Sequence, residues 1–353
     1  MSRVFDILHE MVRRNASDLF ITVGKPPVLK IDGNLVSLPY DLSTQDDTEA
    51  DARQLFDRET TSRTFFEEGE VDFSLSISHI GRFRVNVFQQ RGSFAIAVRR
   101  IYSELPDPDR LGIPDSVMSL TRNHKGLVLV TGPAGCGKTT TLAALIDRIN
   151  QERSCHILTL EDPIEYLHRH KKSIINQREI GTDSRTYAQA LRAALRQSPD
   201  VILIGEMRDL ETIAIALTAA ETGHLVLSTL HTIGASKTID RIIDVFPPNQ
   251  QQQIKIQLST TLQAVVSQQL LHDSTSGVVP AFEVMLVNNA IRNMIRDGKT
   301  PQIDGVIQMG ASEGMSTMDM CLTRLLNEKR ITQDEALLHA LNPQALLRNT
   351  ESA

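Results

Sequence analysis

The spacing of apolar and polar residues changes character about a third of the way along the chain. Early on, Val4, Phe5, Ile7, Leu8, Met11 and Val12 recur at helical intervals, predicting a first helix that ends near Asn15. Strands are predicted at 18–23 and 28–31; Pro26-Pro27 interrupts the first, and Asp32-Gly33 signals a hairpin after the second. The polar stretch 44–68 keeps helical spacing at Ala52, Leu55 and Phe56. Segments 71–77, 83–88 and 94–99 then alternate apolar and polar residues, as half-buried strands do. Residues 1–100 therefore read as a small α+β domain. The proline-bearing stretch 101–114, with Pro106, Pro108 and Pro114, reads as a linker.

Beyond it a helix is expected over 116–123, and the pattern becomes one of short, wholly apolar runs. These lie at 127–130, 156–160, 201–204 and 225–230, separated by helical patterns at 142–149, 184–196 and 211–222, the last closed by Gly223. Alternating strand and helix implies a mainly parallel sheet with helices on both faces, here spanning residues 115–353. The fold class is α/β.

The first apolar run opens directly into Gly132 to Thr139, which match G-x-x-x-x-G-K-[ST] between a strand and a helix. Gly132, Gly135 and Gly137 allow backbone angles closed to other residues, so successive N–H groups can converge on one anion. The positive end of the following helix adds to that field. Lys138 can reach the β- and γ-phosphates and the Thr139 hydroxyl can ligate Mg²⁺. The nucleotide-binding candidates are therefore Gly132, Pro133, Ala134, Gly135, Cys136, Gly137, Lys138, Thr139 and Thr140. The implied ligand is ATP with Mg²⁺.

Acidic residues follow two later strands. Glu161, Asp162 and Glu165 come after the run 156–160, and Glu206 after 201–204. The carboxyl edge of a parallel sheet is where ligands bind in such folds. Glu206 is the candidate for orienting and deprotonating the hydrolytic water; Glu161 is the alternative, and a candidate Mg²⁺ ligand with Thr139. His224 and His231 bracket the strand 225–230. His231 is a candidate sensor touching phosphate or the water-holding acid, His224 a candidate nucleotide contact, and Arg241 on the next helix a further phosphate sensor. Arg82, Arg84 and Arg99 lie on adjacent strands of the first domain, either as solvent-facing charge or as cations offered to phosphate.

Composition narrows the classes. At 353 residues with net charge −6 the chain is large enough for two cores and is no bulk-charge nucleic-acid binder. Aromatics are 4% of the residues, against an aromatic-rich groove for single strands. Cys136, Cys155 and Cys321 are scattered with no C-x-x-C pair, so disulfides and zinc knuckles are not expected and a reducing cytoplasm is. Cys136 lies inside the glycine loop, where alkylation is a route to inhibition; the plainer reading is a small filler residue. No run approaches the ~20 apolar residues of a membrane span, and the first fifteen residues lack a signal-peptide core. The amphipathic first helix is expected to pack on the core, with a membrane-surface anchor as the alternative.

Four motifs together resemble the secretion ATPase superfamily. They are the glycine loop, Leu160-Glu-Asp-Pro-Ile-Glu165, Gly205-Glu-Met-Arg-Asp209, and Gly223-His224 with Thr229-Leu-His231, similar to the Walker A, aspartate, Walker B and histidine boxes. Asn176-Gln-Arg-Glu179, the stretch Leu217 to His224, and Lys237 to Arg241 resemble the type IV pilus retraction branch. So does Ala290-Ile-Arg-Asn-Met-Ile-Arg-Asp297, where Met294 and Asp297 stand for the branch's usual Leu and Glu. The resemblance runs from Ala16 to Asp319. It implies a homohexameric ATP-hydrolysing motor for pilus retraction and twitching motility, with an N-terminal PAS-like domain and a C-terminal RecA-like domain. It further implies that Arg84 and Arg99 close on the phosphates, leaving Arg82 open. The implied partner is an inner-membrane platform protein at the pilus base, the implied location cytoplasmic and peripheral to that membrane, with no nucleic acid. Three other readings compete: an extension or secretion ATPase, a RecA-like nucleic-acid translocase, and a non-motor ATP-binding module. Extension ATPases of the superfamily usually carry a longer N-terminal region and a tetracysteine site, which favours retraction here.

Overall fold

The computed structural model describes residues 3–56, 59–101, 105, 107–274, 277–343 and 346. Residues 102–104 and 106 of the expected linker, and the C-terminal residues 347–353, lie outside the described residues. The chain divides into two compact units: residues 1–104 with 165–167, and residues 105–164 with 168–353.

The first unit holds helices α1 (Arg3–Arg13), α2 (Gln45–Leu55) and α3 (Glu59–Glu68) and strands β1 (Asp18–Ile21), β2 (Val28–Ile31), β3 (Asn34–Ser37), β4 (Glu70–Ile77), β5 (Gly81–Gln90) and β6 (Ser93–Ile101). The strands form one antiparallel sheet in the order β3-β2-β1-β6-β5-β4. The Asp32-Gly33 turn joins β2 to β3 with both residues at positive φ, 48° and 81°. Val4, Ile7, Leu8 and Met11 of α1 are fully buried against Leu19, Ile21, Phe83, Val85 and Val87, so the helix's apolar face packs on the core. The strand period of two puts Arg84 and Arg99 on the face of the sheet opposite Phe83, Val85 and Val98.

In the second unit, α4 (Asp115–Met118) and a following 3₁₀ turn occupy the expected helix 116–123. Next come β7 (Gly126–Thr131), α5 (Lys138–Glu152), β8 (His156–Glu161), β9 (Ile174–Glu179), α6 (Tyr187–Ala194), β10 (Val201–Ile204), α7 (Leu210–Glu221) and β11 (Leu225–Leu230). After these the chain forms α8 (Ala235–Asp244), α9 (Pro248–Thr261), β12 (Leu262–His272), β13 (Val278–Leu286), α10 (Asn289–Asp297), α11 (Ile303–Met309) and α12 (Met318–Asn327). The sheet order is β13-β12-β7-β11-β10-β8-β9, with every neighbour parallel except the β12–β13 hairpin.

Each central strand feeds two cores. Leu127 and Leu129 of β7 point into a cluster with α6 to α11, while Val128 and Val130 point into one with α4 and α5. That double burial is why these strands read as unbroken apolar runs rather than as alternation. Strands β9, β12 and β13 are additions to the sequence reading.

Candidate nucleotide site

All six residues of β7 are buried, and the chain leaves the sheet at Gly132. Gly132, Gly135 and Gly137 have φ of 141°, 77° and 89°, and Gly137 is the N-cap of α5. A Cβ on Gly132 would stand 2.1 Å from the Gln268 carbonyl oxygen and 2.7 Å from Cys136 Sγ. One on Gly137 would stand 2.9 Å from Gln268 Nε2. The Gln268 carboxamide oxygen in turn accepts from Thr141 Oγ1 at 2.8 Å. One residue of β12 thus backs both ends of the loop and the first turn of α5, a role sequence reasoning missed because it depends on strand pairing alone.

Lys138 is buried, and its ammonium donates to the carbonyls of Gly132 (2.9 Å) and Pro133 (2.8 Å), at the mouth of the loop. Pro133, Ala134 and Gly135 are exposed, and Thr139 and Thr140 are half-buried in the first turn of α5. Cys136 is buried, and burial pushes its thiol above the ordinary range. Glycines at positive φ, the α5 N-terminus and the Lys138 ammonium together fit a polyphosphate.

The carboxyl ends of β11, β10 and β8 lie in sequence beside that of β7. Ser228 Oγ donates to the Ile204 carbonyl (2.8 Å) and Thr229 Oγ1 to that of Gly205 (2.6 Å), which fixes the exit of β10 and so places Glu206. One Glu206 oxygen pairs with the Arg208 guanidinium and the other lies 3.2 Å from His231 Nε2. The bond to Glu206 raises the Arg208 pKa above its ordinary value. Sequence reasoning assigns Arg208 no role; its place in the turn two residues after Glu206 is the signal that finds it. A Cβ on Gly205 would stand 2.8 Å from the Tyr187 hydroxyl, whose pKa is raised by burial and then by Asp162, Glu206 and Glu161.

Glu161, the last residue of β8, is buried and turned inward, accepting from Thr159 Oγ1 (2.6 Å) and Gln177 Nε2 (3.2 Å). Glu206 lies two strand spacings from β7, roughly 10 Å, and Glu161 three, roughly 14 Å. Among the described residues no group of three or more His, Cys, Asp or Glu could hold a metal ion. Thr139 with one or two of these carboxylates fits Mg²⁺, which takes few protein oxygens when a substrate's phosphates supply others.

His224 stands before β11, at the amino edge of the sheet, with Nδ1 3.0 Å from the Ala219 carbonyl. The six-residue strand, roughly 20 Å long, separates it from the loop within this chain. Arg241 is exposed in the second half of α8. Arg84 and Arg99 belong to the first unit, directly opposite one another on β5 and β6. Arg84 donates from Nε to Asp72 Oδ1 (3.1 Å) and from Nη2 to Oδ2 (2.5 Å), a bidentate pair, and Arg99 Nε donates to Asp18 at 2.9 Å. Arg82 donates to Ser76 Oγ at 3.1 Å. Glu165 is exposed.

Comparison with known proteins gives concordant results. The family model described as type II/IV secretion system protein matches residues 3–290. The type IV pilus retraction ATPase PilT of Pseudomonas aeruginosa is 43% identical over 97% of this chain and 99% of its own length. The twitching motility protein of Neisseria gonorrhoeae is 48% identical over 78% of this chain and 74% of its own. The crystal structure of the pilus retraction motor PilT with bound ADP superposes with a TM-score of 0.93 at 47% identity, covering 99% of both chains.

Proposed function

The chain belongs to the type II/IV secretion system protein family, and from that premise we propose that it is the motor that powers type IV pilus retraction. It is an ATP-hydrolysing enzyme, as its relatives are named. The observation that carries the retraction reading is likeness to retraction motors over essentially the whole of both chains.

In this reading residues 1–100 and 115–353 are the two domains, joined by 101–114, and the working form is a homohexamer. It acts at the cytoplasmic face of the inner membrane, on a platform protein at the pilus base. No helix among the described residues is long and apolar enough to cross a membrane.

The chemistry is ATP + H₂O → ADP + phosphate. The loop amides and the α5 N-terminus hold the β-phosphate, and Lys138 exchanges its two carbonyl partners for β- and γ-phosphate oxygens. Thr139, with Glu161 or Glu206 acting through water, would hold Mg²⁺, which would supply charge neutralisation on those oxygens. Glu206 orients the attacking water and takes its proton, being nearer the loop than Glu161 and having an oxygen beside His231. His231 then reports the γ-phosphate through Glu206. By resemblance, Arg84 and Arg99 complete the charge on the phosphates; each must leave its present carboxylate to do so.

The test is imaging of labelled pili in cells lacking this chain. Pili that extend and never withdraw agree with the reading. Bald cells would make it an assembly ATPase instead.

A further inference from the structure

The turn that carries His231 runs directly into α8, and that helix begins unusually. Its N-cap is Gly234, which has no side chain to satisfy the first amides. The β12–β13 hairpin does so instead. Ser267 Oγ accepts from Gly234 N at 3.0 Å, and Glu283 Oε1 accepts from Ala235 N at 2.6 Å. Ser267 and Glu283 are directly paired across the hairpin.

Glu283 has a second partner. Its other oxygen accepts from Met318 N, the first amide of α12, at 3.3 Å. The side chain is buried, 3% exposed, and burial raises its pKa. One carboxylate thus holds the starts of two helices far apart in sequence. α12 has a cap of its own, since Thr317 accepts from Met320 N, so the bond to Glu283 is additional to ordinary capping. On the other side, α8 is continuous through residues 231–234 with the His231–Glu206 contact.

We infer that Glu283 is a positioning residue that ties the His231 turn to the N-terminus of α12, so that a change at the nucleotide site moves the C-terminal helices. The inference rests on the reading of the His231 turn as nucleotide-responsive. A turn whose following helix has no side-chain cap of its own takes its position from whatever holds that helix, and here the holder also grips α12. The bond from Ala235 N, at 2.6 Å, has the length of a charge-assisted one and that from Met318 N, at 3.3 Å, is looser; both end on one carboxylate, so displacing one end loads the other. Beside Glu283 the hairpin offers a second connection, because Gln268, next to Ser267, backs the phosphate loop.

Hydrogen exchange of the full-length protein, with and without ADP and a non-hydrolysable ATP analogue, tests this. In the wild type, segments 231–236 and 317–322 should both change protection on nucleotide binding. In Glu283→Gln, whose amide offers a single acceptor oxygen, 231–236 should still respond while the response of 317–322 is lost. Steady-state kcat should fall about 2- to 30-fold with KM little changed, the range seen when coupling residues away from ligand are altered. Glu283→Asp, which keeps the carboxylate on a stem too short to span both amides, should give the same pattern and serves if the first variant does not fold. An undiminished response at 317–322 in either variant would overturn the tie, as would silence of that segment alone in the wild type. Silence of 231–236 in the wild type would instead overturn the reading of the His231 turn, and the inference with it.

Discussion

Replacing Gly132 by alanine should abolish nucleotide binding, whereas the same change at Gly135 should only weaken it. Both residues have positive φ, 141° and 77°, so both variants carry a backbone penalty of about 1–2 kcal/mol. The difference lies in space. At Gly135 a Cβ meets nothing within 4 Å, but at Gly132 it lands 2.1 Å from a backbone oxygen of β12. A carbon and an oxygen need about 3.2 Å, so loop and strand must part by about 1 Å, and a misplacement of that size costs about 10²-fold in a positioned site. Gly135→Ala should therefore lose about 5- to 30-fold in affinity, the equivalent of its strain alone. Gly132→Ala should lose at least about 10² more. Titration with a fluorescent ATP analogue reads both, and thermal melting shows whether each variant is folded. Equal affinities for a folded Gly132→Ala and Gly135→Ala would refute the claim that β12 sets the loop's shape.

Arg84→Ala should slow ATP turnover more than it weakens ATP binding, by at least tenfold given the ~10³–10⁵ that arginines contribute in related phosphoryl transfer; unchanged turnover would return Arg84 to surface charge. Asp51, buried beside Arg3 at 3.6 Å, is pushed up to about 6 by desolvation, against the attraction of Arg3. A carboxyl raised in the folded state binds more protons there than in the unfolded chain, so its contribution to stability is full below about 4 and is lost as pH rises to about 6. Relative to the wild type, Asp51→Asn should thus gain melting temperature between pH 4 and pH 7, and a pH-independent difference would contradict this. Iodoacetamide should leave Cys136 largely unmodified in the folded protein, because the thiol is 2% exposed and its thiolate disfavoured; rapid labelling with loss of ATP binding would show the loop opening.

The parts of the site that sequence made legible are those whose physics is local. Gly132 to Thr139 announce a loop because only glycine tolerates the angles there, and β7, β10 and β11 announce themselves because both faces are buried. Strands β12 and β13 escaped because polar residues are buried at the hairpin's centre: Ser267 opposite Glu283, with Gln268 and Gln269 following on β12. Such residues look like surface in a hydropathy pattern, and their partners, Gly234, Ala235 and Thr141, are distant in sequence. β9 escaped because it is an edge strand with only Ile174 and Ile175 apolar. His224 and His231 bracket β11, and the strand between them puts them at opposite edges of the sheet.

The most direct test of the account is to restore the deletion strain with either the wild-type chain or Glu206→Gln and to count pilus withdrawals by fluorescence imaging. The account predicts that the wild type restores withdrawal. Glu206→Gln, still binding ATP and losing about 10²–10⁴ in hydrolysis, should leave cells with extended, static pili. Normal withdrawal with Glu206→Gln would contradict the claim that hydrolysis at this site drives retraction.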